Sequence, residues 1–344
     1  MTNSLSVLAR QLMAKGKGIL AADESDSTCA KRFDKYDIPK TAEMRRLWRE
    51  LLFTTPEIEK GLSGIILYDE TLRQRTSAGV PFAEYLVSRG ILAGIKVDQK
   101  TEPLKNSPEE EVTKGLDGLS ARLAEYVKLG ATFTKWRAVI RIGEGLPTAE
   151  CINENARRLA AYARECQKEG LVPILEPEVL LDGTHTLARS EAVLTETLRS
   201  VFNEAQKAGA DLSGLILKSS MALPGKESPP QGSGQAGSGV TPQEIAEATL
   251  RALVASVPPE VAGIVFLSGG QTPEEATIRL NAIAQLAQEK KAPWPISFSY
   301  SRALQDLVLK EWAGNEATRK KAQQVFTKRV SETAAASRGE YAAR

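Results

Sequence analysis

The sequence predicts an α/β fold with a closed (βα)8 barrel, in which eight parallel strands alternate with helices. Short apolar runs recur eight times along the 344 residues, and segments of helical length separate them. None of these runs reads as a polar edge strand, which a closed barrel explains because it has no free sheet edge. No GxGxxG motif follows the first run and no GxxxxGK[ST] motif occurs, so the usual nucleotide-binding open sheets are disfavoured.

Each predicted strand is a short apolar run bounded by glycine or by turn residues. The sixth run is the most informative, because its three apolar residues lead directly into Lys218. The eight predicted strands are 18–23, 64–70, 94–98, 131–140, 171–179, 214–219, 263–270 and 296–302.

Helix boundaries carry their own signals. Thr41 and Thr148 each precede a segment with helical spacing of apolar residues. Thr241 and Thr272 are each followed by proline and, three residues on, by glutamate. This pattern predicts a threonine N-cap with a capping box. The N-terminal segment is predicted to be an amphipathic helix packed on the barrel and not a signal peptide.

We expect residues 1–344 to form a single barrel domain, since the chain is long enough for one. The stretch 224–239, PGKESPPQGSGQAGSG, is rich in Gly, Ser and Pro. It is predicted to be a flexible loop at the barrel mouth, either a lid or a segment without a role. Residues 313–344 are predicted to form a C-terminal helical tail.

Composition excludes several classes of function. The net charge of +2 gives no reason to expect nucleic acid or a membrane surface as a partner. The three cysteines indicate a reducing compartment, so we expect a cytoplasmic protein, or a plastid stromal one as a mature chain. A histidine-rich metal site is impossible because His185 is the only histidine, and the sequence predicts a solvated loop for it.

Charged residues collect where the predicted strands end, which is where barrels of this kind carry their chemistry. Residues two apart on a strand share a face, so Lys135 and Arg137 point one way, as do Glu176 and Glu178. Directing them into the barrel mouth avoids burying charges among apolar side chains. The full set comprises Asp23, Asp69, Glu70, Lys96, Asp98, Lys135, Arg137, Glu176, Glu178 and Lys218, followed by Ser268, Gly269, Gly270, Ser299 and Arg302.

Lys218 is the candidate nucleophile. Burial and a nearby Lys135 would both lower its pKa, which turns a lysine into an amine that attacks carbonyl groups. The alternative, that Lys218 only pairs with a carboxylate or reaches solvent, is not excluded by this strand alone.

Two phosphate sites are predicted at the barrel mouth. The Gly269–Gly270 turn and Arg302 would hold one phosphate. The second would be met by Arg32, Lys96, Arg45 or Arg137 further round the rim.

Several motifs together resemble the class I fructose-1,6-bisphosphate aldolases. They are GKGILAADES, GIKVD, GLDGLSARLAEY, TKWR, PILEPEVLLDG, LILKSSM, FLSGGQ and SFSYSRALQ, and they run in order from about Gly16 to about Trp312. DESDSTC and KSSM look closer to plastid and bacterial members than to the muscle type. The resemblance implies a TIM barrel that cleaves a sugar bisphosphate without metal or cofactor, in glycolysis, gluconeogenesis or the Calvin cycle, and a homo-oligomer, tetrameric or dimeric.

The resemblance also implies roles for individual residues. Lys218 matches the Schiff-base lysine and Glu176 the general acid/base, while Asp23, Lys135 and Glu178 match supporting catalytic residues. Positions that match substrate contacts, or lie beside them, are Ser25, Arg32, Arg45, Lys96, Arg137, Ser268, Gly269, Gly270, Ser299, Ser301 and Arg302.

Three departures from the muscle-type pattern stand out: Ser219-Ser220 after the lysine, Ser301 in place of glycine, and Tyr341 as the nearest match to a C-terminal tyrosine used in proton exchange. Sedoheptulose bisphosphate is a plausible second substrate. The competing interpretations are another Schiff-base barrel lyase, such as a transaldolase or deoxyribose-phosphate aldolase, and a barrel that serves only as a binding scaffold.

Overall fold

The computed structural model describes residues 4–228 and 239–342, which form a closed parallel barrel and confirm the predicted fold class. The ten strands are β1 (Gly18–Ala22), β2 (Leu62–Leu67), β3 (Leu92–Lys96), β4 (Thr101–Leu104), β5 (Ser107–Thr113), β6 (Phe133–Ile140), β7 (Val172–Val179), β8 (Ile216–Ser219), β9 (Gly263–Phe266) and β10 (Ile296–Tyr300). Around the barrel the order is β1-β10-β9-β8-β7-β6-β3-β2, while β4 and β5 form a separate antiparallel pair.

Helices cover the outside of the barrel and close its lower end. They are α1 (Leu5–Leu12), α2 (Asp26–Phe33), α3 (Ala42–Phe53), α4 (Asp69–Arg73), α5 (Phe82–Ser88), α6 (Leu119–Lys128), α7 (Ala149–Lys168), α8 (Leu187–Lys207), α9 (Pro242–Ser256), α10 (Pro273–Glu289), α11 (Arg302–Trp312) and α12 (Arg319–Ser337). None of the helices in the described part of the chain is long and apolar enough to cross a membrane.

The predicted helix starts are confirmed. Thr41 and Thr148 cap α3 and α7 through their side chains. Thr241 and Thr272 form the complete capping boxes that begin α9 and α10. These devices are visible in the sequence because every partner lies within three residues.

The barrel interior changes from apolar to charged along its axis. At the amino ends of the strands, Leu12 at the end of α1 and the following Met13 pack among inward-facing residues such as Ile19, Phe133 and Val265. The same inward-facing positions further along β6 and β8 carry Lys135 and Lys218. The helix therefore seals the lower end, and the charged layer opens only at the carboxyl ends of the strands.

Two features of the chain differ from the sequence predictions. The second strand ends at Leu67, and Asp69 and Glu70 belong to α4, because Tyr68 is the N-cap of a short helix that turns both side chains out of the sheet. The β4–β5 hairpin was not predicted, since its residues are mostly polar and only alternate weakly. Residues 229–238 of the predicted loop 224–239 lie outside the described residues.

Candidate active site

The carboxyl ends of the strands surround a cavity of about 1270 Å³. Strands on several sides of the barrel contribute to it, which is where the fold concentrates functional side chains. The predicted site residues that line it are Asp23, Ser25, Lys96, Lys135, Arg137, Glu176, Lys218 and Ser301.

A network of ion pairs occupies the floor of this cavity. The Glu176 carboxylate bridges two lysines, with Oε1 at 2.9 Å from Lys218 Nζ and Oε2 at 3.1 Å from Lys135 Nζ. Lys135 Nζ also lies 2.7 Å from Asp23 Oδ2. Register explains the assembly, because inward-facing positions on β6, β7 and β8 lie side by side and Asp23 continues β1 beyond its last residue.

Burial sets the electrostatics of the network. Burial alone would raise the pKa of Asp23, but the charges of Lys135 and Lys218 outweigh it and lower that pKa to about 2. Burial opposes ionisation of Glu176 as well, yet the same two lysines and Arg137 lower its pKa. For Lys135, burial favours the neutral form, whereas Asp23 and Glu176 raise its pKa. Lys135 therefore remains an ammonium ion, unsuited to act as a nucleophile.

This arrangement distinguishes the two lysines chemically. Lys135 has two carboxylate partners, Asp23 and Glu176, while Glu176 is the one carboxylate that pairs with Lys218 within residues 4–228 and 239–342. A proton that leaves Lys218 therefore has an acceptor 2.9 Å away, within the reach needed for direct proton transfer. The geometry thus presents Lys218 as the amine and Glu176 as its proton acceptor.

A second group of charges lies higher in the cavity. Arg137 pairs with Glu178, which raises the pKa of the arginine against the effect of burial. Asp98 accepts a hydrogen bond from the Arg137 backbone N–H at 3.2 Å and pairs with Lys96. Arg137 and Lys96 are consequently held at the rim by carboxylates, where their side chains face the cavity.

The predicted phosphate turn is present beside the cavity. Gly269 and Gly270 both adopt left-handed backbone conformations, with φ of +54° and +85°, which favour glycine. A methyl group added to Gly270 would lie 3.5 Å from Arg302 Nη2 and 2.9 Å from Lys226 Nζ. On neighbouring β10, the buried Ser299 Oγ has no hydrogen-bond partner among the described residues.

Of the predicted phosphate ligands, Arg32 and Arg45 do not line the cavity, and neither do Gly269, Gly270 and Arg302 beside it. Arg45 makes a bidentate pair with Glu70, at 2.6 and 2.7 Å. Arg32 pairs with Glu24 and also with Asp306 at 3.0 Å. Carboxylates accept hydrogen bonds from both guanidinium groups, and one of them, Glu24, lies only eight residues before Arg32.

His185 and Tyr341 also lie outside the cavity. His185 lies in a loop as predicted, but the expected solvation is wrong, since both of its ring nitrogens are buried without a hydrogen-bond partner in the described chain. Burial lowers its pKa. Tyr341 lies against α10, where its backbone N–H donates to Asn281 Oδ1 at 2.9 Å.

Within residues 4–228 and 239–342 no cluster of three or more His, Cys, Asp or Glu side chains could hold a metal ion.

Sequence reasoning missed one network and one cation. Glu24 itself lines the cavity, where it accepts a hydrogen bond from Ser301 at 2.7 Å and pairs with the buried Arg49 at 2.7 Å. Lys226 belongs to the segment 224–239, which was interpreted from its composition alone. For Glu24 the adjacent Asp23 was the available signal, while nothing local marked Lys226.

The comparisons with known proteins agree with this geometry. The family model described as fructose-bisphosphate aldolase class-I matches residues 4–344. A probable fructose-bisphosphate aldolase class 1 from Xanthomonas axonopodis pv. citri is 49% identical over 341 residues, covering 98% of both chains. The cytosolic fructose-bisphosphate aldolase 5 of Arabidopsis thaliana is 46% identical, over 97% of this chain and 90% of that protein.

A solved structure gives the same result in three dimensions. The fructose-bisphosphate aldolase of Plasmodium falciparum, in complex with TRAP and a small-molecule inhibitor, superposes with a TM-score of 0.94 at 42% identity. The match covers 99% of this chain and 95% of that one. The chain therefore belongs to the class I fructose-bisphosphate aldolases.

Proposed function

We propose that Lys218 forms the Schiff base with fructose 1,6-bisphosphate and that Glu176 moves the protons on which the reaction depends. The observation that carries this assignment is the single carboxylate shared between Lys218 and Lys135, at 2.9 and 3.1 Å. One lysine can then lose its proton to the carboxylate while the other keeps the local charge balanced.

The first half of the reaction forms the iminium. Glu176 accepts a proton from Lys218, and the resulting amine attacks the C2 ketone. A proton moves from nitrogen to the former carbonyl oxygen and gives a carbinolamine. Glu176 returns its proton to that hydroxyl group, water leaves, and a Lys218 iminium remains beside the regenerated carboxylate.

The second half breaks the carbon–carbon bond. We assign the C4 hydroxyl proton to Glu176, because its Oε1 lies 2.9 Å from Lys218 Nζ, where the iminium forms, whereas Asp23 pairs with Lys135. As this proton leaves, the C3–C4 bond breaks, its electrons enter the iminium, and glyceraldehyde 3-phosphate departs. The enamine is then protonated at C3, and water hydrolyses the imine to release dihydroxyacetone phosphate. The iminium serves as the electron sink that a metal ion would otherwise supply.

The remaining residues position the substrate. Asp23 holds Lys135 in place, and Glu178 holds Arg137 at the rim. The Gly269–Gly270 turn and Arg302 offer backbone N–H groups and a guanidinium to a phosphate. Lys96, Ser25, Ser268, Ser299 and Ser301 supply further polar groups around the mouth.

Several finer assignments rest on the family and the motifs. Sedoheptulose 1,7-bisphosphate is a second substrate in this proposal, because it carries the same ketose end. We place the chain nearer to bacterial and plastid members than to the muscle type on its DESDSTC and KSSM motifs. We further propose a cytoplasmic homo-oligomer, tetrameric or dimeric, built from single-domain subunits with a C-terminal helical tail.

Glu176→Gln tests the assignment. The amide keeps the size of the side chain but cannot accept a proton, so kcat for fructose 1,6-bisphosphate should fall by about 10²-fold or more while KM changes little. Glu169→Gln, on the outer surface after α7, is the matched control. Equal kcat values for Glu176→Gln and the wild type would refute the role of Glu176.

A further inference from the structure

A short segment after Lys218 is locked to the loop that follows β7. Backbone N–H groups of Gly225, Lys226 and Glu227 donate to the carbonyl oxygens of His185, Leu181 and Gly183, at 2.8, 2.9 and 3.0 Å. The contact is tight, because a Cβ on Gly225 would lie only 2.1 Å from the Gly183 oxygen. The backbone around Lys226 is therefore fixed by hydrogen bonds.

With the backbone held in this way, the Lys226 side chain lies over the Gly269–Gly270 turn. Its Nζ lies 2.9 Å from the point where Gly270 would carry a Cβ, and Arg302 Nη2 lies 3.5 Å from the same point. The φ of +85° at Gly270 favours glycine at this position. Two cations and a turn with a left-handed backbone thus surround one small volume.

Nothing in the described chain neutralises this pair of cations fully. Lys226 has one carboxylate nearby, Asp182 at 3.4 Å, and both side chains are about half exposed, at 46% and 56%. Such exposed pairs contribute little. Arg302 has no carboxylate partner within residues 4–228 and 239–342, and residues 229–238 contain no Asp or Glu. Bringing two like charges together is unfavourable unless an anion joins them.

The position of the Gly269–Gly270 turn indicates which anion would bind between Lys226 and Arg302. Lys218 pairs in register with Val265 of β9, and the Gly269–Gly270 turn follows that strand directly. A substrate linked to Lys218 through C2 carries its C1 phosphate one carbon away. Resting on the proposed Schiff-base function, we infer that Lys226 is a further ligand of the C1 phosphate, together with Arg302 and the Gly269–Gly270 turn. Asp182 holds Lys226 close by when no substrate is bound.

Lys226→Met tests the inference by substrate comparison. Because a charge-assisted contact to the phosphate is lost, KM should rise about tenfold for fructose 1,6-bisphosphate and equally for fructose 1-phosphate. In the condensation direction, KM should rise for dihydroxyacetone phosphate and stay constant for glyceraldehyde 3-phosphate. Lys226→Arg should restore most of the loss, since it keeps the charge.

Lys207→Met is the matched control, because Lys207 is also exposed and paired with a carboxylate but lies on α8 away from the cavity. Unchanged KM values in Lys226→Met would overturn the inference, as would a rise for the bisphosphate alone. Inorganic phosphate as a competitive inhibitor gives a second readout, and its inhibition constant should rise about tenfold. If Lys226→Met still forms the Lys218 adduct while its KM is normal, the inference fails and the proposed function stands.

Discussion

Glu176 gives the active site its asymmetry. Its carboxylate contacts both lysines, but Lys135 is also held by Asp23 whereas Lys218 is not. The charges of two carboxylates therefore keep Lys135 protonated, and its raised pKa follows from them despite complete burial. Two lysines on neighbouring parts of one cavity thus acquire different chemistry from the number of their partners.

The lowered pKa of Asp23 makes the free energy of unfolding depend on pH in the acid range. Its pKa falls from 3.8 to about 2 on folding, so its carboxylate stabilises the folded state above about pH 4 and loses this effect as the pH falls towards about 2. The contribution is about 2 kcal/mol at neutral pH. We expect the free energy of unfolding, measured with urea, to fall more steeply below about pH 4 for the wild type than for Asp23→Asn.

The matched control is Asp26→Asn, in which the aspartate is about half exposed at the rim. Its unfolding free energy should depend on pH in the same way as that of the wild type. Superimposable pH profiles for the wild type and Asp23→Asn would mean that Asp23 is not held as a buried carboxylate.

Helix α1 should contribute to the stability of the barrel but not to catalysis, because it packs at the end opposite the charged cavity. Leu12 is fully buried inside the lower end of the barrel, where it meets Gly64. Leu12→Ala should lower the free energy of unfolding by about 2–5 kcal/mol, because it leaves a cavity under the barrel. At a temperature where the variant is folded, kcat/KM should remain that of the wild type, since the charged layer lies at the other end.

Val7→Ala is the control for this variant, because Val7 lies on the same helix and is 42% exposed. It should change stability by less than about 0.5 kcal/mol. A loss of kcat/KM in folded Leu12→Ala would show that the two ends of the barrel are coupled.

Elements fixed by local contacts are those that the sequence reveals. The capping boxes at Thr241 and Thr272 and the inward alternation of Lys135 with Arg137 could be predicted, since each depends on residues a few positions apart. Pairings between residues far apart in the sequence could not be predicted. Arg45 was predicted at the substrate, but its partner Glu70 lies 25 residues away, and only the folded chain shows that this carboxylate occupies the arginine.

The same limit applies to Lys226. Its position depends on hydrogen bonds to Leu181, Gly183 and His185, far earlier in the chain. The eight-strand order was predictable because the alternation of strands and helices is repeated along the whole sequence. The cavity floor was predictable for the same reason, as charges at strand ends meet at one end of a barrel.

At the scale of the whole molecule, the C-terminal segment follows the outside of the barrel. Gln288 and Gln285 of α10 donate to Arg338 and Gly339, and Asn281 accepts from Tyr341. Tyr341 therefore lies on α10 and not among the residues that line the cavity.

We expect Tyr341→Phe to leave proton exchange at C3 of dihydroxyacetone phosphate unchanged, as measured by isotope exchange in NMR. Exchange slowed about tenfold or more would place Tyr341 in the site during turnover.

The most direct test of the account is reductive trapping of the Schiff base. The protein is mixed with dihydroxyacetone phosphate and EDTA, reduced with borohydride, digested and sequenced by mass spectrometry. The account predicts one reduced adduct, on Lys218, and none in Lys218→Met. An adduct on Lys135 or Lys96, or no adduct at all, would contradict the assignment of Lys218 as the nucleophile.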